Sequence, residues 1–135
     1  NEAIGLAHSG WKGTLNLIAP KTAEAMKLAF HSDPSALYCV IGPSICADCY
    51  EIQEDVYRLF TQQSSYAKEY IKQIGSSWRL DLKGFIRESL IRSGFSSDHI
   101  QVCDLCTGCN KHMMYSHRKS KGNCGRSLAV LGIRS

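Results

Sequence analysis

Three kinds of segment in the sequence contain side chains that could take part in catalysis or in binding of a metal or an anion. The first is His8-Ser9-Gly10-Trp11-Lys12-Gly13, where an imidazole precedes a glycine-rich turn and a lysine offers charge to an anion. We expect this histidine at the C-terminal end of a strand, where α/β proteins place functional groups. A hydrogen-bonded structural histidine would give the same pattern, because a single histidine is weak evidence for a site.

The second kind is a set of cysteines at repeated spacing. Cys46 and Cys49 form one Cys-x-x-Cys pair, and Cys103, Cys106 and Cys109 continue the same spacing. Such a pattern indicates a structural zinc site or an iron–sulfur cluster. The two sets are separated by about fifty residues, however, which is longer than the usual zinc-ribbon spacing. We therefore favour buried thiols that fill small apolar spaces, with the metal site as the alternative.

The third kind is a basic segment near the end of the chain. Much of the formal net charge of +4 comes from residues 111–126. Within it, Arg118 and Arg126 flank a loop that contains Gly122 and Gly125, and such arginines can hold a phosphate bidentately. A nucleic-acid surface or a solvated basic loop would have a similar composition.

The elements that must position these groups alternate between strand and helix. Apolar runs predict strands at Ala3–Ala7, Ala36–Gly42 (buried), Trp78–Leu80, Ile100–Cys103 and Ser127–Ile133, whereas no assignment follows for Ser64–Gly75. Helical spacing joins Leu15 to Phe30, with a start near Ala19 or a kink, because Pro20 lacks an amide donor. The spacing of Ile52, Val56, Leu59 and Phe60 predicts another helix.

One further helix has clear signals at both ends. Asp81 is a suitable N-cap residue, Leu82, Phe85, Ile86 and Leu90 form the apolar face, and Gly94 is a suitable stop. The alternation predicts the α/β class, a layered α/β sandwich formed by residues 1–135 as one domain. The chain starts without Met and inside an apolar run, so we expect part of a larger catalytic domain, incomplete at its N-terminal side.

Composition and motifs exclude several classes of protein. Hydrophobic residues make up 44% and charged residues 21% of the 135 residues, and no segment predicts a membrane span or a signal peptide. Seven cysteines, an odd number, predict a reducing, cytoplasmic location rather than a disulfide framework. We find no Walker loop, Gly-x-Ser-x-Gly elbow, His-Glu-x-x-His motif or glycosidase-type carboxylate pair.

Four stretches in one order resemble the YfiH/FAMIN family, once catalogued as laccase-like multicopper polyphenol oxidoreductases. The first is Ala7–Gly13, similar to the family's His-Ala-Gly-Trp-Arg/Lys-Gly, with Ser9 in place of alanine. Ile41–Glu51 resembles Gly-Pro-Ser/Ala-Ile…Cys-Tyr-Glu, and Leu80–Leu82 resembles Leu-Asp-Leu. Cys106–Arg126 resembles Cys-Thr…Ser-Tyr-Arg-Arg…Gly-Arg, with Ser120 where the family has aspartate.

The resemblance implies an α/β sandwich and metal-assisted phosphorolysis of adenosine, inosine or guanosine, with adenosine deamination. Purine nucleoside and phosphate are the implied partners. Members of the family bind a zinc-type metal through two histidines and one cysteine, of which only His8 carries over, as a metal ligand and catalytic residue. The other two ligands belong to family segments upstream of residue 1, so none of the seven cysteines takes that role.

The residues at the other motif positions are candidates for substrate contacts. We expect Lys12, Arg118 and Arg126 to contact phosphate or ribose, on the basis of charge and motif position. A copper-dependent phenol oxidase is a competing interpretation, but five scattered histidines do not supply several coppers. A non-enzymatic zinc or nucleic-acid-binding module, based on the cysteines and the basic loop, is the other.

Overall fold

The computed structural model describes residues 2–134, which fold into two compact units. The first unit comprises the chain up to Ile41, Ile86–Val102 and the residues from Leu128 onwards. The second comprises Gly42–Phe85 and Cys103–Ser127. Helices and strands are mixed in both, and the strands form open sheets. The predicted α/β class is therefore confirmed.

The first unit contains two helices in succession and a short parallel sheet. Helix α1 spans Trp11–Leu15 and α2 spans Ile18–Phe30. Pro20 lies in the first turn of α2, where its missing N–H needs no partner, so the expected start near Ala19 is confirmed. Strand β1 (Cys39–Ile41) pairs in parallel with β5 (Ile100–Val102).

The second unit contains an antiparallel sheet and one complete helix. Its strands are β2 (Glu51–Ile52), β3 (Ile71–Ile74) and β4 (Ser77–Leu80), in the spatial order β2-β4-β3. Helix α3 spans Glu54–Gln63, which confirms the predicted helix at Val56, Leu59 and Phe60, whereas Ile52 lies in β2. The core of this unit is aromatic: Phe60 meets Phe85 edge-on, with ring centroids 5.1 Å apart, and Tyr66 stacks on Phe85 at 5.0 Å.

Helix α4 (Leu82–Arg92) begins in the second unit and belongs to the first from Ile86 onwards. The carboxylate of Asp81 accepts a hydrogen bond from the Gly84 N–H at 3.0 Å, which confirms Asp81 as the N-cap. Gly94 follows the helix with a φ of 103°. A side chain there would be strained, so glycine is the residue that this C-terminal stop requires.

Two predicted strands are wrong. Within residues 2–134, Ala3–Ala7 and Ser127–Ile133 form no strand. Their apolar side chains are exposed, Leu128 by 88% and Val130 by 81%. A strand needs a hydrogen-bonded partner, and an apolar run does not specify one.

Other predictions need smaller corrections. The predicted buried strand over Ala36–Gly42 is reduced to β1, in which Ile41 is buried but Val40, on the opposite face, is exposed, as is Tyr38 before the strand. The predicted turn at Ser9–Gly13 is helical from Trp11, where α1 begins, and His8 does not follow a strand as expected, because no strand forms over Ala3–Ala7. None of the described helices has the length and apolar character needed to cross a membrane. The expectation of a single domain over residues 1–135 stays a prediction.

Candidate functional site

The turn that follows His8 is fixed by short-range contacts within the first unit. The Thr14 N–H donates to the Gly10 carbonyl at 2.8 Å, and the Ser9 and Thr14 hydroxyls lie 2.9 Å apart. A Cβ atom on Gly13 would lie 3.4 Å from the His8 carbonyl oxygen and 3.3 Å from Ile18. Glycine at this position therefore lets α1 pack closely against the backbone of His8.

His8 and Lys12 line one shallow, open cavity in this unit. Its volume is ≈ 440 Å³, and its other lining residues are Gly10, Trp11, Gly13 and Ile18. The Lys12 ammonium group lies 5.5 Å from the centre of the Trp11 ring, within range of a cation–π interaction. The cavity thus combines an imidazole, a cation and an aromatic face.

His8 does not form a metal site with other described residues. Among residues 2–134, the four cysteines described below are the one group of three or more side chains that could hold a metal ion. The residues present therefore do not fit the metal centre that the resemblance implies, because a catalytic zinc takes about three protein ligands. His8 can supply a single ligand to such a centre.

Arg118 lies in the second unit and has two protein contacts there. One guanidinium nitrogen donates to the Glu51 carbonyl at 2.5 Å, and the group lies over the Tyr50 ring, 5.0 Å from its centre. Burial raises the pKa of the Tyr50 hydroxyl, and the charge of Arg118 partly offsets that shift. Arg118 thus attaches the basic loop to the segment that ends in β2.

Arg126 follows a close packing contact in the same loop. A Cβ atom on Gly125 would lie 2.6 Å from the Tyr115 ring, so the backbone rests directly on that ring. Gly122 has a φ of 83° and donates its N–H to the His117 carbonyl at 2.9 Å. Arg126 itself is exposed. The structure thus places Arg118 and Arg126 in the second unit, and His8 and Lys12 in the first.

The largest departure from the sequence-based interpretation concerns four cysteines of the second unit. The sulfur atoms of Cys46, Cys49, Cys106 and Cys109 all lie within 4.8 Å of one another. Cys106 is buried, Cys46 and Cys49 are half-buried, and Cys109 is exposed. The favoured interpretation, separate thiols filling apolar spaces, is wrong for this group, since the thiols face one another.

Two loops bring these thiols together. Ser44 and Cys106 form an isolated parallel bridge, in which the Thr107 N–H donates to the Ser44 carbonyl at 3.1 Å. The Cys46 N–H donates to the sulfur of Cys106 at 3.2 Å. Cys103, which continues the same spacing in the sequence, is not a member of the group.

The thiols shift one another's proton affinity in opposite directions. Burial alone raises the pKa of Cys106, but hydrogen bonds from the backbone and thiol groups of Cys46 and Cys109 outweigh it and lower the pKa to about 6. Hydrogen bonds to the Cys49 and Cys106 thiols raise the pKa of Cys109 to about 12. Burial raises the pKa of Cys46. Of these thiols, Cys106 is therefore the one that loses its proton most readily.

Sequence reasoning did not select Trp11 or the cysteine group as functional, for two different reasons. Trp11 lies within the histidine turn motif but carries no charge, so a search for ionisable groups passes over it. The cysteine group has a visible signal, two pairs at identical spacing. The length of chain between the pairs argued against it, because sequence distance does not show that the two loops are neighbours.

Comparison with known proteins gives matches across nearly the whole chain. Residues 1–134 match the family model described as multi-copper polyphenol oxidoreductase laccase. Purine nucleoside phosphorylase YlmD of Bacillus subtilis is 34% identical over 97% of this chain and 48% of its own length. Purine nucleoside phosphorylase of Deinococcus radiodurans is 33% identical over 96% of this chain and 49% of its length. The chain therefore spans about half the length of the curated relatives it matches.

Solved structures agree with these matches. A crystal structure of the Bacillus licheniformis hypothetical protein YfiH superposes with a TM-score of 0.79 at 32% identity, over 86% of this chain and 44% of that one. YlmD from Geobacillus stearothermophilus gives the same TM-score at 31% identity, over 88% and 45%.

Proposed function

This chain belongs to the multi-copper polyphenol oxidoreductase laccase family, and from that premise we propose that it forms part of a purine nucleoside phosphorylase. The support is the pair of relatives that bear this name and are at least 33% identical over nearly all of this chain. The cavity beside His8 and Lys12 supplies groups that suit such a substrate. Because the chain spans about half of these relatives, the activity is proposed for the whole protein.

The proposed reaction cleaves the bond between the purine and the ribose. A phosphate oxygen bonds to the anomeric carbon as the bond to the purine nitrogen breaks, and the base leaves with the bonding electrons. Departure is easier when the base is protonated and when positive charge on the ribose ring is stabilised. The products are ribose 1-phosphate and the free base.

We assign roles within the cavity by chemical type. The Lys12 ammonium group attracts phosphate, and the exposed face of the cavity lets a nucleoside enter. The Trp11 ring offers a flat apolar surface of the kind on which bases stack. The His8 imidazole is a group that can donate or accept a proton. Arg118 and Arg126, in the second unit, are further candidates for phosphate or ribose contacts.

Adenosine deamination and metal assistance are finer parts of the proposal. Deamination replaces the amino group at C6 of adenine with oxygen from water and releases ammonia. For metal assistance, His8 would supply one ligand to a zinc ion in the whole protein, and the other ligands would have to come from residues outside this chain. We prefer zinc to copper because five histidines are few for a multicopper centre. That argument also weighs against phenol oxidation, the activity that the family's name describes.

The test is release of base from inosine and adenosine by the intact protein, with and without phosphate. We expect phosphate to accelerate base release and ribose 1-phosphate to accumulate. A rate of base release that does not depend on phosphate would contradict the proposal, and so would the absence of turnover of either nucleoside by folded, zinc-loaded protein. Oxidation of a phenol with consumption of oxygen would instead support the activity in the family's name.

Variants in the first unit test the role of the cavity. We expect His8→Ala to abolish turnover and Lys12→Ala to raise the KM for phosphate. Lys21→Ala is the matched control, because Lys21 is also an exposed lysine of the first unit but does not line the cavity. Equal effects of the two lysine changes on the KM for phosphate would remove Lys12 from the proposed site.

A further inference from the structure

We propose that Cys46, Cys49, Cys106 and Cys109 form a structural zinc site, separate from the nucleoside chemistry. The four sulfur atoms lie within 4.8 Å of one another, and those of Cys49 and Cys109 are 3.5 Å apart. With zinc–sulfur bonds of about 2.3 Å, the sulfurs of a tetrahedral site lie roughly 3.8 Å apart. The group therefore needs only small movements to enclose one ion.

The backbone around the thiols has the form of two metal-binding turns. Cys46 and Cys49 sit at the ends of a tight turn, in which the Cys49 N–H donates to the Cys46 carbonyl at 3.1 Å. On the other loop, the Asn110 N–H donates to the Cys106 carbonyl at 3.0 Å. The hydrogen bond that the Cys46 N–H donates to the Cys106 sulfur stabilises the thiolate of Cys106, and the thiolate is the form that binds metal.

Gly108 packs closely against the cysteine group. It is buried, and a Cβ atom there would lie 3.2 Å from the Cys49 Cβ atom and 3.3 Å from its sulfur. The same atom would lie 3.6 Å from the Cys106 sulfur. A side chain at this position would crowd Cys49 and touch the Cys106 sulfur at an ordinary contact distance, so glycine leaves room for the Cys49 ligand.

The charge of the surroundings suits a zinc tetrathiolate, which carries a net charge of −2. Lys83 is buried, and its ammonium group donates to the Cys103 carbonyl at 2.5 Å, close in sequence to Cys106. Arg79 donates to the carbonyl of Asp48, which lies between Cys46 and Cys49. Each cysteine loop therefore has a cation bound to its backbone. Because Arg79 shares its charge with the Glu51 carboxylate, 3.5 Å away, Lys83 is the cation that offsets the charge of the bound thiolates.

A disulfide, apolar packing and a multi-iron cluster each fit the four thiols less well. A disulfide needs sulfurs about 2.05 Å apart, whereas those of Cys49 and Cys109 are separated by 3.5 Å. Apolar packing does not account for Cys109, which is exposed. A multi-iron cluster places its four thiolates around several metal atoms and so spreads them further apart than a single ion does.

The first test is metal analysis of the intact protein after gentle purification under reducing conditions. We expect the His8→Ala variant, which lacks the ligand that the resemblance implies, to keep about one zinc per chain. Cys109→Ser should lose that zinc, and Cys124→Ser, a cysteine of the same unit outside the group, should keep it. No zinc in His8→Ala, or full zinc content in Cys109→Ser, would overturn the proposal.

A second measurement uses the unmutated protein, so it stands even if a cysteine variant does not fold. Cobalt(II) replaces zinc, and we expect the intense sulfur-to-cobalt absorption and the visible bands of a tetrahedral thiolate site. Cobalt spectra without sulfur bands would refute the assignment. Iron in place of zinc, or a Cys49–Cys109 disulfide found in reduced preparations by mass spectrometry, would refute it as well.

Discussion

Gly84 offers a prediction in which two known effects oppose each other. It lies in the first turn of α4, where replacing glycine with alanine ordinarily stabilises a helix by up to about 1 kcal/mol. Here a Cβ atom would lie 2.5 Å from a carboxylate oxygen of Asp81 and 2.8 Å from the Tyr70 ring. Both distances are shorter than a nonbonded contact allows, so the alanine must displace at least one of these side chains.

The magnitudes favour destabilisation. Inserting a methyl group into a packed site costs about 1–3 kcal/mol, and loss of the Asp81 cap costs about 1 kcal/mol. Subtracting the helix gain leaves Gly84→Ala destabilising by about 1–3 kcal/mol. Gly42→Ala is the control, because a Cβ atom there meets nothing within 4 Å; its effect should be close to zero or slightly stabilising.

Urea unfolding of the intact protein, followed by far-ultraviolet circular dichroism, measures both effects. We expect a lower midpoint with an unchanged slope for Gly84→Ala. Asp81→Ala removes the obstructing carboxylate. The double variant with Gly84→Ala should therefore lose less free energy of unfolding than the sum of the two single variants. A higher midpoint for Gly84→Ala would refute the reasoning, because it would show that helix propensity prevails over the close contacts.

Two further predictions concern the second unit. Phe85 is fully buried among Phe60, Tyr66 and Tyr70. Phe85→Ala should therefore lower the free energy of unfolding by about 3–5 kcal/mol. A decrease of less than about 1 kcal/mol in urea unfolding would contradict that packing. Arg118→Ala should cost only about 1 kcal/mol, from its carbonyl bond and its contact with Tyr50, while raising the KM for phosphate several-fold; a fall in melting temperature that matched the fall in activity would make Arg118 structural.

Local signals explain which elements could be predicted from the sequence. The spacing of Val56, Leu59 and Phe60 predicts α3, in which Phe60 is buried, and Asp81 and Gly94 act on backbone groups within a few residues of themselves. Such effects depend on short stretches of chain, so a single sequence contains the information. The strand expected over Ser127–Ile133 depended on a partner elsewhere, and its apolar run alone does not specify one.

The cysteine group shows the same limit at the candidate site. Cys46 and Cys106, which are 60 residues apart in the sequence, become neighbours because the segment at Ser44 pairs with the segment at Cys106. The antiparallel sheet that fills the intervening chain makes the separation look too long for one metal site. A comparison of spacing within each pair was the better guide, since ligand geometry depends on the local turn and not on the length of the connection.

The position of Arg118 links the proposed zinc site to the proposed enzyme. Cys49, Tyr50 and Glu51 are consecutive, and the guanidinium group of Arg118 contacts the ring of Tyr50 and the carbonyl of Glu51. A metal ion that fixes Cys49 would therefore also fix the surface on which Arg118 rests. A structural site can in this way set the position of a candidate phosphate-binding side chain without itself contacting the substrate.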